Sequence, residues 1–401
     1  MDMERAFKTN SAVIRVMGIG GGGCNAINSM IDSGVTSAEF FAVNTDNQAL
    51  LLSHAENCIQ IGAKLTKGLG AGSDPNIGEA AAEESKEEIT EVLKGTDLLF
   101  IAAGMGGGTG TGAASVIARI ARELGILTVA VVTKPFSFEG KVRNANAKKG
   151  IANLRKYVDT LVVIPNDKLL QSMAADTGVL EAFKFADDML KQGIIGIVDL
   201  IATPSLINLD FADVNTVMRN QGLAHMGIGR AKGENRVVES VKAAVSSPLL
   251  ETTIEGAKSV ILNVTGGKDL LLTEISEAAE LVQGIIDPDA NIIFGNTIDE
   301  NMIDEVKITV IATGFSPLAD EDKKTVLEVK KEENDVPPLL RGIQETEEQK
   351  QEEPVAEETA AAKEDLVESE RVFEEDIERE EHTEEKKKDL PAFMKKLFGK
   401  K

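Results

Sequence analysis

The run Gly104-Met105-Gly106-Gly107-Gly108-Thr109-Gly110-Thr111-Gly112 decides the fold of this chain. It joins an apolar segment, residues 98–103, to a helical pattern that begins at Ala113. Six glycines in nine residues let the backbone adopt positive φ angles and turn its N–H groups toward one point, and the following helix adds a positive dipole end. Glycine runs also occur in flexible linkers, but a linker does not lie between a buried strand and an amphipathic helix. We therefore predict a phosphate-binding loop, to which Thr109 and Thr111 can add hydroxyl donors.

Short apolar runs alternate with helical patterns along the first 170 residues. Continuous apolar runs indicate strands buried on both faces, so the alternation predicts a doubly wound, mainly parallel α/β sheet. Ligands of such sheets bind at the carboxyl ends of the strands, where the glycine-rich loops fall. The predicted strands cover residues 12–17, 39–43, 98–103, 127–132 and 160–164, and the predicted helices cover residues 25–33, 77–94, 113–124 and 145–157.

A long helical pattern from Val179 to about Ala202 leads into a second, smaller α+β unit. Strands are predicted there at residues 259–264, 291–295 and 306–313, and helices at residues 237–246 and 272–283. We therefore predict a nucleotide-binding domain at residues 1–178, a central helix at 179–203 and a C-terminal α+β domain at 204–318.

An acidic segment follows this second unit. Residues 320–385 contain 26 acidic and 9 basic residues, a net charge of −17. Such a segment cannot bury enough apolar surface to offset chain entropy, so we predict a disordered linker at residues 319–386, with a solvated single helix over residues 364–385 as the alternative.

The final residues, 387–401, reverse the charge. Five apolar side chains recur there at helical spacing, and Asp389 and Pro391 suit the start of a helix. We predict a peptide that folds when an apolar groove of a partner protein receives it. Weak contact with an anionic membrane is the alternative. The five apolar residues are Leu390, Phe393, Met394, Leu397 and Phe398.

Composition limits the partners and the cellular compartment that we expect for this chain. A formal net charge of −23 disfavours nucleic acid as a partner. Two cysteines and the absence of a charged-then-apolar leader favour a cytoplasmic protein, and no apolar run approaches the roughly 20 residues that cross a bilayer. Any membrane contact is therefore expected to be peripheral.

A second glycine run follows the first predicted strand and comprises Gly18 and residues 20–23, before Cys24 and Asn25. It satisfies the G-x-G-x-x-G dinucleotide pattern, and Asp46 lies at about the distance of a ribose-binding acid, so an NAD-dependent oxidoreductase is the rival interpretation. The loop at 104–112 counts against it, because one pyrophosphate needs one cradle whereas two cradles suit a triphosphate. Neither loop has a P-loop lysine, so backbone N–H groups, helix dipoles and Mg²⁺ are expected to meet the phosphate charge.

The glycine loops and four further segments resemble the tubulin/FtsZ family of GTPases in its bacterial form. The supporting segments are residues 42–46, 66–72, 135–140 and 208–213, and the match extends across residues 1–315. The resemblance implies a tubulin-like fold and the hydrolysis of GTP to GDP and phosphate.

The resemblance also implies the nucleotide site. Glu139 and Arg143 are implied near the ribose and base, although residues four apart can equally form a surface ion pair. Phe183 and Asp187 would stack on and hydrogen-bond to guanine; core packing and solvent exposure are their alternatives. The implied nucleotide contacts are Gly20, Gly21, Gly22, Gly23, Cys24, Asn25, Asn44, Ala71, Gly72, Gly104, Gly106, Gly107, Gly108, Thr109, Gly110, Thr111, Pro135, Glu139, Arg143, Asn166, Phe183 and Asp187.

Asp210 and Asp213, with Asn208, precede a helical pattern that begins near Val214. An N-cap with a second acid in the first turn explains them without catalysis. The resemblance implies instead that the two carboxylates position the water that attacks the γ-phosphate bound to the next molecule of a head-to-tail filament.

At the level of the cell, the resemblance implies a filament that forms the division ring at mid-cell, on the inner face of the membrane. Residues 389–398 would bind a tether or regulator such as FtsA, ZipA or SepF. A nucleotide-dependent scaffold that does not hydrolyse GTP shares every phosphate loop and remains the alternative.

Overall fold

A ten-stranded sheet organises the described part of the chain, in the order β3-β2-β1-β4-β5-β6-β7-β10-β8-β9. The computed structural model describes residues 12–170, 173–174, 176–202, 210–247, 254–300 and 302–315. Strands β1 to β6 are parallel, as is the short β6–β7 pairing, whereas β10 is antiparallel to both β7 and β8. The strands are β1 (Ile14–Ile19), β2 (Glu39–Asn44), β3 (Asn57–Gln60), β4 (Leu98–Gly104), β5 (Leu127–Lys134), β6 (Thr160–Pro165), β7 (Gly222–Lys232), β8 (Ser259–Gly266), β9 (Asn291–Ile298) and β10 (Glu305–Thr313).

Helices cover both faces of the parallel part. The described helices are α1 (Gly20–Asp32), α2 (Asn47–Leu51), α3 (Ala63–Thr66), α4 (Pro75–Glu84), α5 (Lys86–Leu93), α6 (Thr109–Glu123), α7 (Lys141–Leu154), α8 (Asn166–Leu169), α9 (Val179–Ala202), α10 (Phe211–Met218), α11 (Arg236–Val245) and α12 (Leu272–Gln283). A single 3₁₀ turn, Ser137–Glu139, follows β5 in the described chain.

Side chains of neighbouring strand residues enter opposite cores, as a doubly wound sheet requires. Val16 and Met17 on β1 are both fully buried, Val16 among side chains of α1 and α9, and Met17 among side chains of α5, α6 and α7. This two-sided burial explains why the strand sequences are continuously apolar. The predicted α/β fold class is confirmed.

All four helices predicted within the first 170 residues have different bounds in the structure; those predicted at 113–124 and 145–157 are Thr109–Glu123 and Lys141–Leu154. The helix predicted from Asn25 begins at Gly20, so the first glycine run forms its opening turn. The helix predicted over residues 77–94 is two helices that meet at Ser85, whose Oγ accepts a hydrogen bond from the Gly62 N–H. Asp74 caps the first of these helices, with Pro75 in its first turn. Local hydrogen bonding therefore overrides helical periodicity at these points.

Strand β7 connects the two halves of the sheet, and the sequence patterns did not indicate it. It pairs with β6 through residues 222–224 and with β10 along 225–232. Gly227 and Gly229 interrupt its apolar pattern. A Cβ at either position would lie 2.0 and 1.9 Å from carbonyl oxygens of Ala244 and Ser240 on α11, so the glycines permit this close packing.

A buried ion-pair network ties the C-terminal part together. The Arg236 guanidinium, 7% exposed, donates to Glu274 at 2.8 and 2.9 Å and also to Asp269. These carboxylates raise the pKa of Arg236, and hydrogen bonds from the guanidinium lower the pKa of Glu274 and that of Asp269. The start of α11 is thereby joined to the β8–α12 connection.

Several predictions fall outside the described residues. They are those for Asn208, for the linker at 319–386 and for the peptide at 387–401. The division at residue 204 into a separate domain stays a prediction. Among the described helices, none combines the length and the apolar character needed to cross a membrane.

Candidate nucleotide site

The two glycine loops lie against each other at the carboxyl edge of the parallel strands. Gly20 follows β1 with a φ of +71°, and a Cβ there would lie 2.8 Å from the Gly110 nitrogen. A Cβ at Gly22 would lie 3.4 Å from the Cα of Gly104. Only glycine at position 20 allows both the left-handed turn and this approach. The chain thus brings two backbone cradles to one place, as the sequence predicted.

The helices that begin at these loops have uncapped N-termini. Neither α1 nor α6 receives a side-chain cap, and neither has an acidic residue in its first turn. Elsewhere in the described chain, Asp46, Asp74 and Asp210 cap α2, α4 and α10. Uncapped N–H groups and two converging dipole ends form a site for anions such as phosphate.

A third segment, residues 71–74, closes against the second loop. A Cβ at Gly108 would lie 2.8 Å from the Ala71 Cβ and 3.0 Å from the Asp74 nitrogen. On the other side of the loop, Gly106 has a φ of +108°, and a Cβ there would meet Arg143 at 2.8 Å and Pro135 at 3.3 Å. Among the described residues, no atom beyond the chain neighbours lies within 4 Å of the Cβ positions of Gly21, Gly72 and Gly107.

Threonine hydroxyls hold the loops in place. Thr111 Oγ1 accepts from the Gly106 N–H at 2.8 Å, and Thr109 Oγ1 shares a 2.7 Å hydrogen bond with Thr45 Oγ1. Sequence reasoning missed Thr45, although it lies within the segment 42–46 that carried the resemblance. All three threonines are buried.

Asn44 and Cys24 support the first loop from beneath. Asn44 Oδ1 accepts from the Asp46 N–H at 3.2 Å, and the Cys24 thiol approaches the Gly18 carbonyl at 3.6 Å. Burial raises the pKa of the Cys24 thiol to about 11, so this thiol is unreactive near neutral pH. Packing is the role that the structure gives Cys24.

A cleft of about 720 Å³ adjoins the first loop, between α1 and the start of α9. Asn25 and Asn28 line it from α1, and Phe183 and Asp187 line it from α9, one helical turn apart. Among the described residues, Asp187 has no hydrogen-bond or ion-pair partner. Its burial raises the pKa of the carboxyl to about 7. A half-buried carboxylate without a donor suits a ligand that brings N–H groups.

An aromatic cluster forms one wall of the site. Phe183, 38% exposed, meets the fully buried Phe136 edge to face with ring centroids 5.3 Å apart, and Phe136 stacks on Phe138 at 5.1 Å. Phe136 lies within the segment 135–140 that carried the resemblance, but the sequence alone offered no reason to assign it a role. The cluster fixes the start of α9 beside the loop that follows β5.

Asn166 has a buried amide oxygen that no described group satisfies. It is the first residue of α8, after β6, and it is 5% exposed. Among the described residues, its Oδ1 is the one buried side-chain N or O atom without a hydrogen-bond partner. Leaving a buried acceptor unpaired costs about 1–3 kcal/mol, which a ligand hydroxyl would relieve.

Glu139 and Arg143 form the surface ion pair that their spacing allowed, at 2.8 Å. Glu139 also accepts from the Phe136 N–H at 2.8 Å, so it shapes the turn after β5. Arg143 is about half exposed and contacts the second glycine loop at Gly106. Both alternatives raised by the sequence are therefore compatible with the structure.

The geometry disfavours the dinucleotide interpretation. Asp46 accepts from the Gln48 and Ala49 N–H groups at 2.9 and 3.4 Å and so serves as a helix cap rather than a free ribose ligand. His54 pairs with Asp32, and the buried His225 contacts Phe315. Neither described histidine lies at the glycine loops, and His382 is outside the described residues.

The acidic pair satisfies itself. The Asp213 N–H donates to Asp210 Oδ1 at 2.8 Å, and the Asp210 N–H donates to Asp213 Oδ2 at 3.3 Å, a capping box at the start of α10. At the other end of this helix, the Met218 carbonyl accepts from Thr160 Oγ1 at 2.5 Å. Because Thr160 begins β6, α10 ends at the amino edge of the parallel strands, whereas both glycine loops lie at the carboxyl edge.

Helix α9 connects these two edges. It begins beside Phe136, just after the carboxyl end of β5, and a Cβ at Gly193 would lie 3.3 Å from Val131 in the middle of that strand. Its 24 residues extend about 36 Å toward the amino edge. Across the described residues, no hydrogen bond joins Asp210 or Asp213 to either glycine loop.

Within the described ranges, no group of three or more His, Cys, Asp or Glu side chains is placed to hold an ion. Backbone cradles, two helix dipoles, an unpaired amide oxygen and an unpaired carboxylate together define a site for a nucleotide rather than a metal cage.

Comparison with known proteins agrees with this geometry. Residues 13–174 match the family model described as the tubulin/FtsZ family GTPase domain, and residues 222–316 match the FtsZ family C-terminal domain. The fold is thus that of a tubulin-like GTPase. A solved FtsZ dimer from M. jannaschii is 47% identical, covers 77% of this chain and 90% of its own, and superposes with a TM-score of 0.75. The chain belongs to the FtsZ family.

More distant structures share the fold. A GDP-bound CetZ1 monomer from Haloferax volcanii is 20% identical over 79% of this chain and 99% of its own, with a TM-score of 0.67. A CetZ2 protofilament with GTPγS from the same organism is 19% identical over 80% and 98%, with a TM-score of 0.65.

Proposed function

We propose that this protein hydrolyses GTP at a site that a neighbouring copy completes in a head-to-tail filament. The carrying observation is the separation described above: both glycine loops lie at the carboxyl edge of the parallel strands, whereas the helix that Asp210 and Asp213 begin ends at the amino edge. A second copy stacked along the direction of α9 would bring its acidic pair to the phosphate loops of the first.

The backbone of the glycine loops and three side chains have definite tasks in this proposal. The loop N–H groups and the dipoles of α1 and α6 bind the phosphates, and Mg²⁺ is bound mainly through those phosphates. Asn166 accepts from a ribose hydroxyl, Phe183 packs on the base, and Asp187 accepts from the N1–H and 2-amino groups of guanine. Adenine lacks both donors and would leave the carboxylate unpaired.

The acidic pair acts by position and charge. Asp210 and Asp213 polarise and position the attacking water, which is sufficient because phosphoryl transfer depends chiefly on alignment and electrostatic stabilisation. Asn208, outside the described residues, is assigned to the same loop. Hydrolysis then weakens the contact between copies and makes assembly a cycle.

Exposed apolar side chains near the phosphate edge support self-association. Leu51 and Leu52 follow β2 at that edge and are 78 and 76% exposed; Leu69, bridged to Asp46, is 84% exposed. Clusters of exposed large apolar residues are typical of protein contact surfaces. The FtsZ structure from M. jannaschii is described as a dimer, and that of CetZ2 as a protofilament.

The cellular role follows from the family. We propose that the filament forms the division ring at mid-cell, on the cytoplasmic face of the membrane, and that residues 389–398 bind a tether of the FtsA, ZipA or SepF type. The acidic residues 319–386 would act as a spacer between the filament and that partner.

A mixing experiment tests the shared site. GTP turnover is measured against protein concentration in Mg²⁺ buffer for the wild type, for Asp213→Asn, for Gly108→Ser and for an equimolar mixture of the two variants. We expect a concentration threshold in the wild type, little turnover by either variant alone, and recovery toward about a quarter of wild-type activity in the mixture, the fraction of interfaces that pair intact loops with an intact acidic pair. Linear dependence without recovery would overturn the proposal.

A scaffold that binds GTP without hydrolysing it is the second candidate, and the capping box favours it, since Asp210 and Asp213 already satisfy each other. In that case the wild type would assemble with GTP yet release no phosphate at any concentration.

A further inference from the structure

We propose that guanine nucleotide binding is coupled to the loss of a proton from Asp187, so that GDP and GTP bind more tightly at pH 8 than at pH 6. The inference rests on the proposed function, because it assigns guanine to the cleft between α1 and α9. It adds a regulatory property of that site.

The Asp187 carboxyl group lies where a bound base could reach it. Asp187 lies one turn after Phe183 on α9 and faces α1 across the cleft. Its backbone is inside a helix, so its oxygens receive no backbone N–H donors of the kind that stabilise the caps Asp46 and Asp74. Within the described chain it has neither an ion pair nor a hydrogen bond.

Three acidic side chains near Asp187 have partners of their own. Asp32 is paired with His54, Asp188 with Lys191, and Asp167 with the Ser137 N–H and hydroxyl. The charged side chains on the elements that pack against this part of α9 are Asp32 on α1, Glu181, Lys184, Asp188 and Lys191 on α9, Asp167 and Lys168 on α8, Lys134 on β5, and Glu139, paired with Arg143, in the 3₁₀ turn. Among the described residues, none of these cations pairs with Asp187.

A bound guanine base would change the protonation of Asp187. In the free protein, burial raises the pKa of Asp187 to about 7, so the group holds a proton below neutral pH. Guanine presents two N–H donors that require the ionised carboxylate, and hydrogen bonding to the charged form lowers the pKa in the complex. Binding therefore releases a proton wherever the free protein holds one.

The direction of the pH dependence follows from linkage. Below pH 7 the proton must leave before the base can bind, so affinity falls as the pH falls; above pH 8 the free carboxyl is already ionised and affinity is constant. For a free-state pKa of about 7, the dissociation constant at pH 6 exceeds that at pH 8 by about tenfold. The free protein thus binds guanine nucleotide less tightly in acid.

The experiment measures the dissociation constant of GDP for the full chain at pH 6, 7 and 8. The terminal phosphate of the nucleotide also titrates, near pH 6, so the ratio of constants at pH 6 and 8 is compared between proteins. We expect the wild-type ratio to exceed that of Asp187→Asn by about tenfold. Glu181→Gln removes one negative charge from the same cleft and should retain the wild-type ratio.

A calorimetric measurement on the wild type alone covers the case in which Asp187→Asn binds too weakly. The proton count is obtained at pH 7 from the heats in two buffers of different ionisation enthalpy, and release of about half a proton is expected. Equal pH ratios in wild type and variant, or no proton release at pH 7, would overturn the coupling alone. Failure to bind GDP at every pH would overturn the proposed function as well.

Discussion

The two ends of α9 differ in how their polar groups are satisfied. At the phosphate end, two helix N-termini are uncapped, Asn166 has an unpaired oxygen and Asp187 has no described partner. At the acidic end, Asp210 and Asp213 satisfy each other in a capping box. Unpaired groups reveal a ligand site within one copy, whereas a self-satisfied pair reveals nothing until a second molecule meets it. The structure of a single copy therefore indicates ligand binding more clearly than it indicates catalysis.

The largest expected effect tests whether Asp213 acts in catalysis or only in the capping box of α10. Asparagine at position 213 keeps a side-chain oxygen that can accept from the Asp210 N–H but has no charge. We expect Asp213→Asn to preserve stability and nucleotide affinity while lowering GTP turnover by about a hundredfold, the size of one lost electrostatic group. Steady-state phosphate release above the assembly threshold measures this, and wild-type turnover in the variant would leave capping as the only role of Asp213.

Adjacent glycines of one loop test the packing at the phosphate end. Gly108→Ala would press a methyl group against Ala71 and Asp74, whereas Gly107→Ala places it in open space. We expect the first to lower the free energy of unfolding by about 1–3 kcal/mol, the usual cost of overpacking. Denaturant unfolding without nucleotide measures both variants, and an equal loss in the two would contradict the described loop contact.

Replacing the unpaired oxygen should separate binding from stability. We expect Asn166→Leu to raise the free energy of unfolding by about 1 kcal/mol, because it removes an unsatisfied buried acceptor, and to weaken GDP binding by about tenfold. Asn44→Leu is the matched comparison, since that buried amide accepts from the Asp46 N–H and its loss should destabilise the protein. Destabilisation by both changes would mean that Asn166 has a partner after all.

The smallest expected effect concerns the two thiols. Cys24 is buried beneath the first loop with its pKa raised to about 11, whereas Cys58 is exposed. We expect Ellman's reagent at pH 8 to modify one thiol quickly in the folded protein and the second only in denaturant. Cys58→Ser should abolish the fast reaction; two fast thiols would show that the floor of the phosphate end opens readily.

The positions of the glycine loops could be predicted from the sequence because glycine has few equivalents. A run such as Gly104–Gly112 after an apolar strand has one common structural use, and the resemblance added the residues around it. Strand β7 escaped prediction because Gly227 and Gly229 replace the apolar residues that mark a buried strand. Those glycines serve packing against α11, a contact that local pattern does not encode.

Other features depend on long-range placement. The spacing of Phe183 and Asp187 put them on one helix face, but the burial that raises the pKa of Asp187 comes from its packing in the folded chain. The unpaired oxygen of Asn166 is likewise a property of its surroundings. Asp210 and Asp213 were recognisable as a cap from local spacing, and only the assembled sheet places the end of their helix at the edge away from the phosphate loops.

The β6–β7 connection has a mechanical consequence. Three residue pairs, Thr160 to Val162 with Gly222 to Ala224, join the six-stranded parallel part to the remaining strands. A force that pulled along the axis of α9 would shear the hydrogen bonds between these three residue pairs. Helix α9 would carry part of the same force. The seam between the halves is therefore the compliant part of the sheet, while the helix beside it is stiff.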